Sequence, residues 1–166
     1  MNSPKVKNYK FVVLPNPAMS MSEIHSAKMM VDKALGNGYF SEHLSTIDCA
    51  WICSSDRSVV GWAAVSSRDN IGILKCVVVN PEHRGKGLGQ KFTDIRIKYL
   101  RKQEYKLVES HAWVRPDGSC PSCGTLERND FVSMEEIKGF YDNCKHRCPS
   151  CKGECQCVAR VYQRKL

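Results

Sequence analysis

Four thiols stand within ten residues near the C-terminus, in Cys148-Pro-Ser-Cys151-Lys-Gly-Glu-Cys155-Gln-Cys157. Thiolates at Cys-x-x-Cys spacing grip a tetrahedral zinc ion, because the tight turn between them points both sulfurs inward. A second pair with the same spacing, Cys120-Pro-Ser-Cys123-Gly, joins Cys144 and His146 to bring the donors to eight, enough for two zinc ions. A competing partition takes Cys120, Cys123, Cys148 and Cys151 as the two knuckles of one zinc ribbon, with Cys155 and Cys157 free or on a second metal. An iron–sulfur cluster would also accept four thiolates, but Pro and Gly in the turns suit zinc. A cysteine-saturated site leaves no open coordination position, so the metal is expected to pin a hairpin poor in apolar residues rather than to catalyse. Cys49, Cys53 and Cys76 read as ordinary buried thiols.

A second constellation is Arg84-Gly85-Lys86-Gly87-Leu88-Gly89, followed by Gln90. Three glycines where a strand turns into a helix let the backbone approach a ligand closely, and a helix N-terminus offers free N–H groups to phosphate. The nucleotide-kinase loop needs Gly-Lys followed by Ser or Thr, and the dinucleotide fingerprint needs G-x-G-x-x-G; neither spacing occurs. Further on, Glu109 and His111 share one strand face by the two-residue period. A strand histidine is more often a hydrogen-bonded packing residue than a base.

The elements that must position these groups follow from periodicity and punctuation. Lys7 to Leu14 reads as a first, edge strand closed by Pro15 and Pro17. Ser20 and Glu23 form a capping box, and Ile24, Ala27, Val31 and Leu35 recur at helical spacing before Gly36 to Gly38 stop the helix. A short helical turn or loop covers Tyr39 to Asp48, and a hairpin pairs Ala50–Ser55 with Val59–Ser66 around Asp56. The β-branched run from Ile71 to Val79 suits a central strand buried on both faces and ends at Asn80-Pro81. Leu88, Phe92, Ile95 and Tyr99 then mark a helix running from the glycine loop to about Gln103. A strand over Lys106 to Val114, a short helix over Thr125 to Asp130, a mixed segment over Val132 to Tyr141 and a last strand over Val158 to Gln163 complete the order.

The chain has 166 residues, 42% of them hydrophobic, which suits a single domain spanning 1–166 with the cysteine-rich appendage at about 120–123 and 144–157. No apolar run approaches the roughly 20 residues of a membrane helix, and the basic start lacks a signal peptide's apolar core, so a cytoplasmic protein with no membrane partner is expected. That compartment and the metal-like spacings argue against a disulfide framework. Net charge is +8, and Arg84 to Lys106 holds eight Lys/Arg against Asp94 and Glu104, so the basicity is local and points to a bound anion. Aromatics are not interleaved with that run as a stacking platform needs, and nucleic acid is not an expected partner.

The run Val79-Asn80-Pro81-Glu82-His83-Arg84-Gly85-Lys86-Gly87-Leu88-Gly89 resembles the acetyl-coenzyme A motif of GNAT N-acetyltransferases, Arg/Gln-x-x-Gly-x-Gly/Ala after a Val-x-Pro strand end. The resemblance covers about Lys7 to Phe131 plus the last strand. It implies an α/β (α+β) fold, a mixed central sheet flanked by helices, here with a small C-terminal zinc-bound hairpin. It also implies transfer of the acetyl group of acetyl-CoA to a primary amine, on a small molecule or a protein, by direct attack. Arg84, Gly85, Lys86, Gly87, Leu88, Gly89 and Gln90 would then hold the pyrophosphate, Val77, Val78 and Val79 would line the donor, and the backbone N–H of Val78 or Val79 would polarise the thioester carbonyl. Glu109 or His111 would relay a proton from the amine. The family's usual acid, a tyrosine in the fourth helix, is replaced by Leu126, which leaves the acid unassigned. The alternatives are a catalytically weak acyl-CoA-binding module and a zinc-knuckle interaction module.

Overall fold

The structure, a computed structural model, describes residues 8–14 and 20–166. Lys7, Pro15 and Pro17, expected to bound the first strand, lie outside the described residues.

The elements in chain order are β1 (Tyr9–Leu14), α1 (Met21–Leu35), α2 (Tyr39–Leu44), β2 (Cys49–Ser55), β3 (Ser58–Arg68), β4 (Ile71–Val79), α3 (Leu88–Lys102), β5 (Leu107–Val114), α4 (Cys123–Arg128), β6 (Val132–Lys138) and β7 (Val158–Lys165). They form one seven-stranded sheet ordered β1-β2-β3-β4-β5-β7-β6, with β1 at an edge. Neighbours are antiparallel except β4 and β5, which run parallel because α3 crosses between them.

Local chemistry sets most boundaries. Ser20 caps α1 through the Glu23 N–H at 3.3 Å while Glu23 Oε2 accepts the Ser20 N–H at 3.1 Å. The β2–β3 and β3–β4 hairpins turn on residue pairs with positive φ, Asp56-Arg57 and Asp69-Asn70, the handedness that matches strand twist in two-residue loops.

Each sheet face carries its own core. Trp51, Ala63 and Val108 pack with Phe92 and Leu100 of α3 and Leu126 of α4, whereas Ile52, Ala64 and Trp62 pack with Ala27 and Val31 of α1 and Phe40 of α2. Alternation along the strands therefore buries both faces, as the Ile71–Val79 run foreshadows. The short fourth helix starts at Cys123, two residues earlier than expected, which removes Cys123 from the free turn that a zinc knuckle needs.

Candidate functional site

The site begins with a register shift. Gly61, Trp62 and Ala63 face Val79, Val78 and Val77, but Val65 faces Leu74, so β4 carries one extra residue at Lys75–Cys76. Such a bulge bends its strand and increases its twist. The pairing of β4 with β5 stops at the same point, after Leu74↔Ser110. Beyond it the strands part, and residues 75–79 face an open cleft instead of a neighbour.

Backbone alternation fixes which groups face that cleft. The Asn80 N–H donates to the Val60 carbonyl at 2.8 Å, so the amides of even residues at this end of β4 point to β3. Val78 is thereby spent on β3, and the amides of Val77 and Val79 point into the cleft. Of the two residues expected to polarise a carbonyl, only Val79 presents its N–H. The carbonyls left without a β5 partner are met by arginines: Arg84 Nε donates to the Val79 oxygen at 3.1 Å and Arg96 Nη1 to the Lys75 oxygen at 2.8 Å. Arg96 is 2% exposed, and burial lowers its pKa to about 10.

At the cleft mouth a 3-10 turn (Pro81–His83) leads into the glycine loop. Gly85 and Gly87 have φ of 71° and 77°, the left-handed region that favours glycine, and Gly87 is the N-cap of α3. The first intrahelical bond runs from the Lys91 N–H to the Gly87 carbonyl, leaving the N–H groups of Leu88, Gly89 and Gln90 free. The Arg84 N–H is spent on the Pro81 carbonyl. Lys86 Nζ lies 3.3 Å from the Glu82 carbonyl, at the loop surface. Seven consecutive residues, 84–90, thus make a basic, amide-rich rim at the positive end of a helix.

On β5, His111 Nε2 lies 2.8 Å from Glu109 Oε1. Glu109 is buried and also accepts from Arg68 Nη2 at 3.3 Å and Gln163 Nε2 at 2.9 Å. Burial holds the His111 pKa below its ordinary value, with Glu109 pulling the other way. A neutral ring donating through Nε2 keeps its lone pair on Nδ1, which has no partner among the described residues. The face of His111 packs on Phe140 at 4.9 Å between ring centroids.

Phe140 belongs to residues 139–157, which connect β6 to β7 and carry almost no apolar side chains. Here Cys148, Cys151, Cys155 and Cys157 bring their sulfurs within 4.8 Å of one another. The pairs 148–157 and 151–157 lie at 3.7 and 3.8 Å, and a Zn–S bond of about 2.3 Å in a tetrahedron sets S···S at about 3.8 Å. The Gln156 N–H donates to Cys151 at 3.3 Å. This donor set fits a tetrahedral metal.

The second expected set does not assemble. Cys120 and Cys123 are joined in a disulfide at the head of α4, and neither stands in a metal-ligand group among the described residues. Cys144 stays outside the four-thiol group. His146 turns to α2, where Nδ1 donates to Glu42 Oε2 at 2.7 Å and the Lys145 and His146 amides donate to the same carboxylate at 2.9 and 3.0 Å. The reason is topological: the 120s loop ends in core-bound Cys123, while the 139–157 segment folds over the α1–α2 corner. The four thiols of the ribbon partition are likewise not brought together, since Cys120 and Cys123 stand outside the four-thiol group.

Together these parts line one groove of about 1470 Å³. Its donor half runs from the glycine loop along Val77–Val79; its other half is walled by Tyr39, His43, Lys75, His111, Phe140 and Tyr141. Sequence reasoning missed Lys75 and Arg96. Arg96 carried a signal, since it breaks the apolar stripe Phe92, Arg96, Leu100. Leu126, 4% exposed, borders the groove with an aliphatic side chain that has no proton to give.

Among solved structures, similar folds include a GNAT family acetyltransferase from Elizabethkingia anophelis with acetyl-CoA bound, at TM-score 0.72 and 13% identity, covering 96% of this chain and 99% of that one. Another is a GNAT family protein from Desulfovibrio desulfuricans, at TM-score 0.71 and 14% identity over 95% and 99%. An N-acetyltransferase from Staphylococcus aureus Mu50 follows at 0.70 and 11% over 95% and 98%. At such identities these establish the fold alone. No curated protein sequence matches the chain. Among the described residues no helix is long and apolar enough to cross a membrane. The sequence model of the acetyltransferase (GNAT) family matches residues 19–131, more than half of the chain, and the chain belongs to that family.

Proposed function

We propose that the chain, acting as one 166-residue unit, transfers the acetyl group of acetyl-CoA to a primary amine, with a structural zinc in its C-terminal hairpin. The observation that carries this reading is the glycine loop standing at the mouth of a cleft whose far wall presents unpaired Val77 and Val79 amides. Phosphate fits the free N–H groups of residues 85–90, and the remaining donor atoms of Arg84 add charge. The acyl-pantetheine arm then follows β4 like a missing strand, and the Val79 amide, with that of Val77, polarises the thioester carbonyl where negative charge develops. The similarity in fold to a protein solved with acetyl-CoA supports this direction of binding.

His111 receives the amine's proton at Nδ1, and Glu109 fixes the tautomer that leaves that atom free. Expulsion of the thiolate requires a proton, and buried Leu126 cannot supply it. That favours a second reading, a chain that binds acyl-CoA without efficient turnover. Incubating the protein with acetyl-CoA and an amine library, with free thiol followed over time, tests the first reading. Acetyl-CoA binding in calorimetry with no acetylated amine would establish the second.

The zinc, held by Cys148, Cys151, Cys155 and Cys157, would supply fixed geometry to a segment without a core. Glu42 passes that rigidity on by tying residues 145–146 to α2.

A further inference from the structure

The half of the groove away from the glycine loop contains two polar groups that the protein leaves unmatched. Lys75, at the bulge where β4 parts from β5, is half-buried, and its ammonium makes no hydrogen bond or ion pair among the described residues. His43 Nε2, on α2, is buried with no hydrogen-bond partner. Both side chains line one small cavity with Tyr39 and Cys76, and both line the main groove.

Two carboxylates of the groove, Asp142 and Glu154, stand on the 139–157 segment, and those on the helices and strands around Lys75 are already committed. Glu109 serves His111, Arg68 and Gln163; Glu42 serves His146 and the Lys145 amide; Asp32 serves Lys28 and the Phe40 amide. Neither neighbouring imidazole supplies a counter-charge, since an imidazole is neutral or cationic, and burial together with nearby positive charge holds both His43 and His111 toward the neutral form. Arg96, the other cation at the bulge, is turned to backbone carbonyls. An ammonium in a partly desolvated site, without an ion pair and next to an unpaired ring nitrogen, is matched by an anionic ligand.

We propose that Lys75 and His43 form an anion subsite in the acceptor half of the groove, and that the acceptor is a primary amine bearing its own carboxylate or phosphate group, in the manner of an amino acid. The inference rests on the acetyl-transfer reading of the groove. With the acid group on Lys75, the amine lies between His111 and the β4 amides, where attack occurs.

Calorimetry on protein saturated with coenzyme A tests the subsite without turnover. The probes are the standard amino acids, their aminophosphonate counterparts, and the amines that lack the acid group. The tightest ligand should carry an acid and bind at least about tenfold better than its acid-free counterpart, and the better of the carboxylate and phosphonate series identifies the anion. Lys75→Met should erase that ratio, Lys75→Glu should invert it, and Lys75→Arg should keep it; the Arg variant guards against a fold defect. Equal affinity for acid-bearing and acid-free amines, or an equal loss for both in Lys75→Met, overturns the subsite and leaves acetyl transfer standing. Preserved acid selectivity with no amine ever acetylated overturns the transfer reading instead and leaves the subsite standing.

Discussion

Arg96 reaches across from α3 to the Lys75 carbonyl at 2.8 Å, and this bond closes the apex of the cleft. The bulge frees that oxygen from the sheet, and a buried carbonyl without a donor is destabilising. Arg96→Met should therefore lose about 1–3 kcal/mol, the penalty for an unsatisfied buried group, lowering the melting temperature by about 2–4 °C per kcal/mol. An unchanged melting curve would show that the Lys75 oxygen finds another donor.

Gly87→Val should abolish acetyl-CoA binding in calorimetry. An added Cβ at Gly87 meets no protein atom within 4 Å, so the obstacle is not crowding by the chain. It is the φ of 77°, which a β-branched residue resists at about 1–2 kcal/mol, together with a side chain in the space that phosphate needs. Wild-type affinity in this variant would remove the pyrophosphate from the loop.

The metal content should be about one zinc per chain by plasma emission spectrometry, since the described residues bring together one four-thiol group. Cys151→Ser should lower that value, and chelation should reduce the melting temperature, because metal binding is folding energy for a segment with no core of its own. A reading of two would assign a second ion to the Glu42, His43 and His146 group. A metal-free protein whose melting is indifferent to chelator refutes the structural zinc.

These outcomes separate what the sequence discloses from what only the fold decides. The capping box at Ser20, the glycine loop and the Ile71–Val79 strand are legible because each depends on residues a few positions apart. The bulge at Lys75–Cys76 is not, since register depends on the partner strand. Spacing likewise shows that Cys120 and Cys123 can share a turn, but not that α4 begins at the second of them and buries it in the core. His146 stands two residues from Cys148 in the chain and still pairs with Glu42, because the loop carrying it packs on the α1–α2 corner.

That packing makes its own demand at Gly36, whose φ is 118° and whose added Cβ would collide with the Arg147 carbonyl. Gly36→Ala should lift the metal-bearing segment from α1 and α2, with a loss of about 1–3 kcal/mol in denaturant unfolding. Because the same segment places Phe140 on His111, the KM for the acceptor should rise while acetyl-CoA affinity holds. A variant with altered acetyl-CoA affinity and an unchanged acceptor KM would contradict this division of the groove.

The proton-accepting role of His111 has a signed pH consequence. Burial disfavours the imidazolium, and the Arg68 and Lys75 charges add to that effect, while Glu109 opposes it; the sum lies below the ordinary value of 6.5. The ring is thus neutral and competent at pH 7, and competence is lost only as pH falls below 6.5. Following the His111 ring by NMR should place its titration below that value, and Glu109→Gln, which removes the opposing charge, should push it lower still. The same variant should reduce kcat at pH 7, since the tautomer is no longer held with Nδ1 free, and His111→Ala should cost about 10²–10⁴ in kcat/KM, the range of general-base catalysis. A His111 titration above 6.5 would mean that burial does not outweigh Glu109, and an upward move in Glu109→Gln would mean that Glu109 is not the group opposing burial. Undiminished turnover in His111→Ala would transfer the base role to solvent.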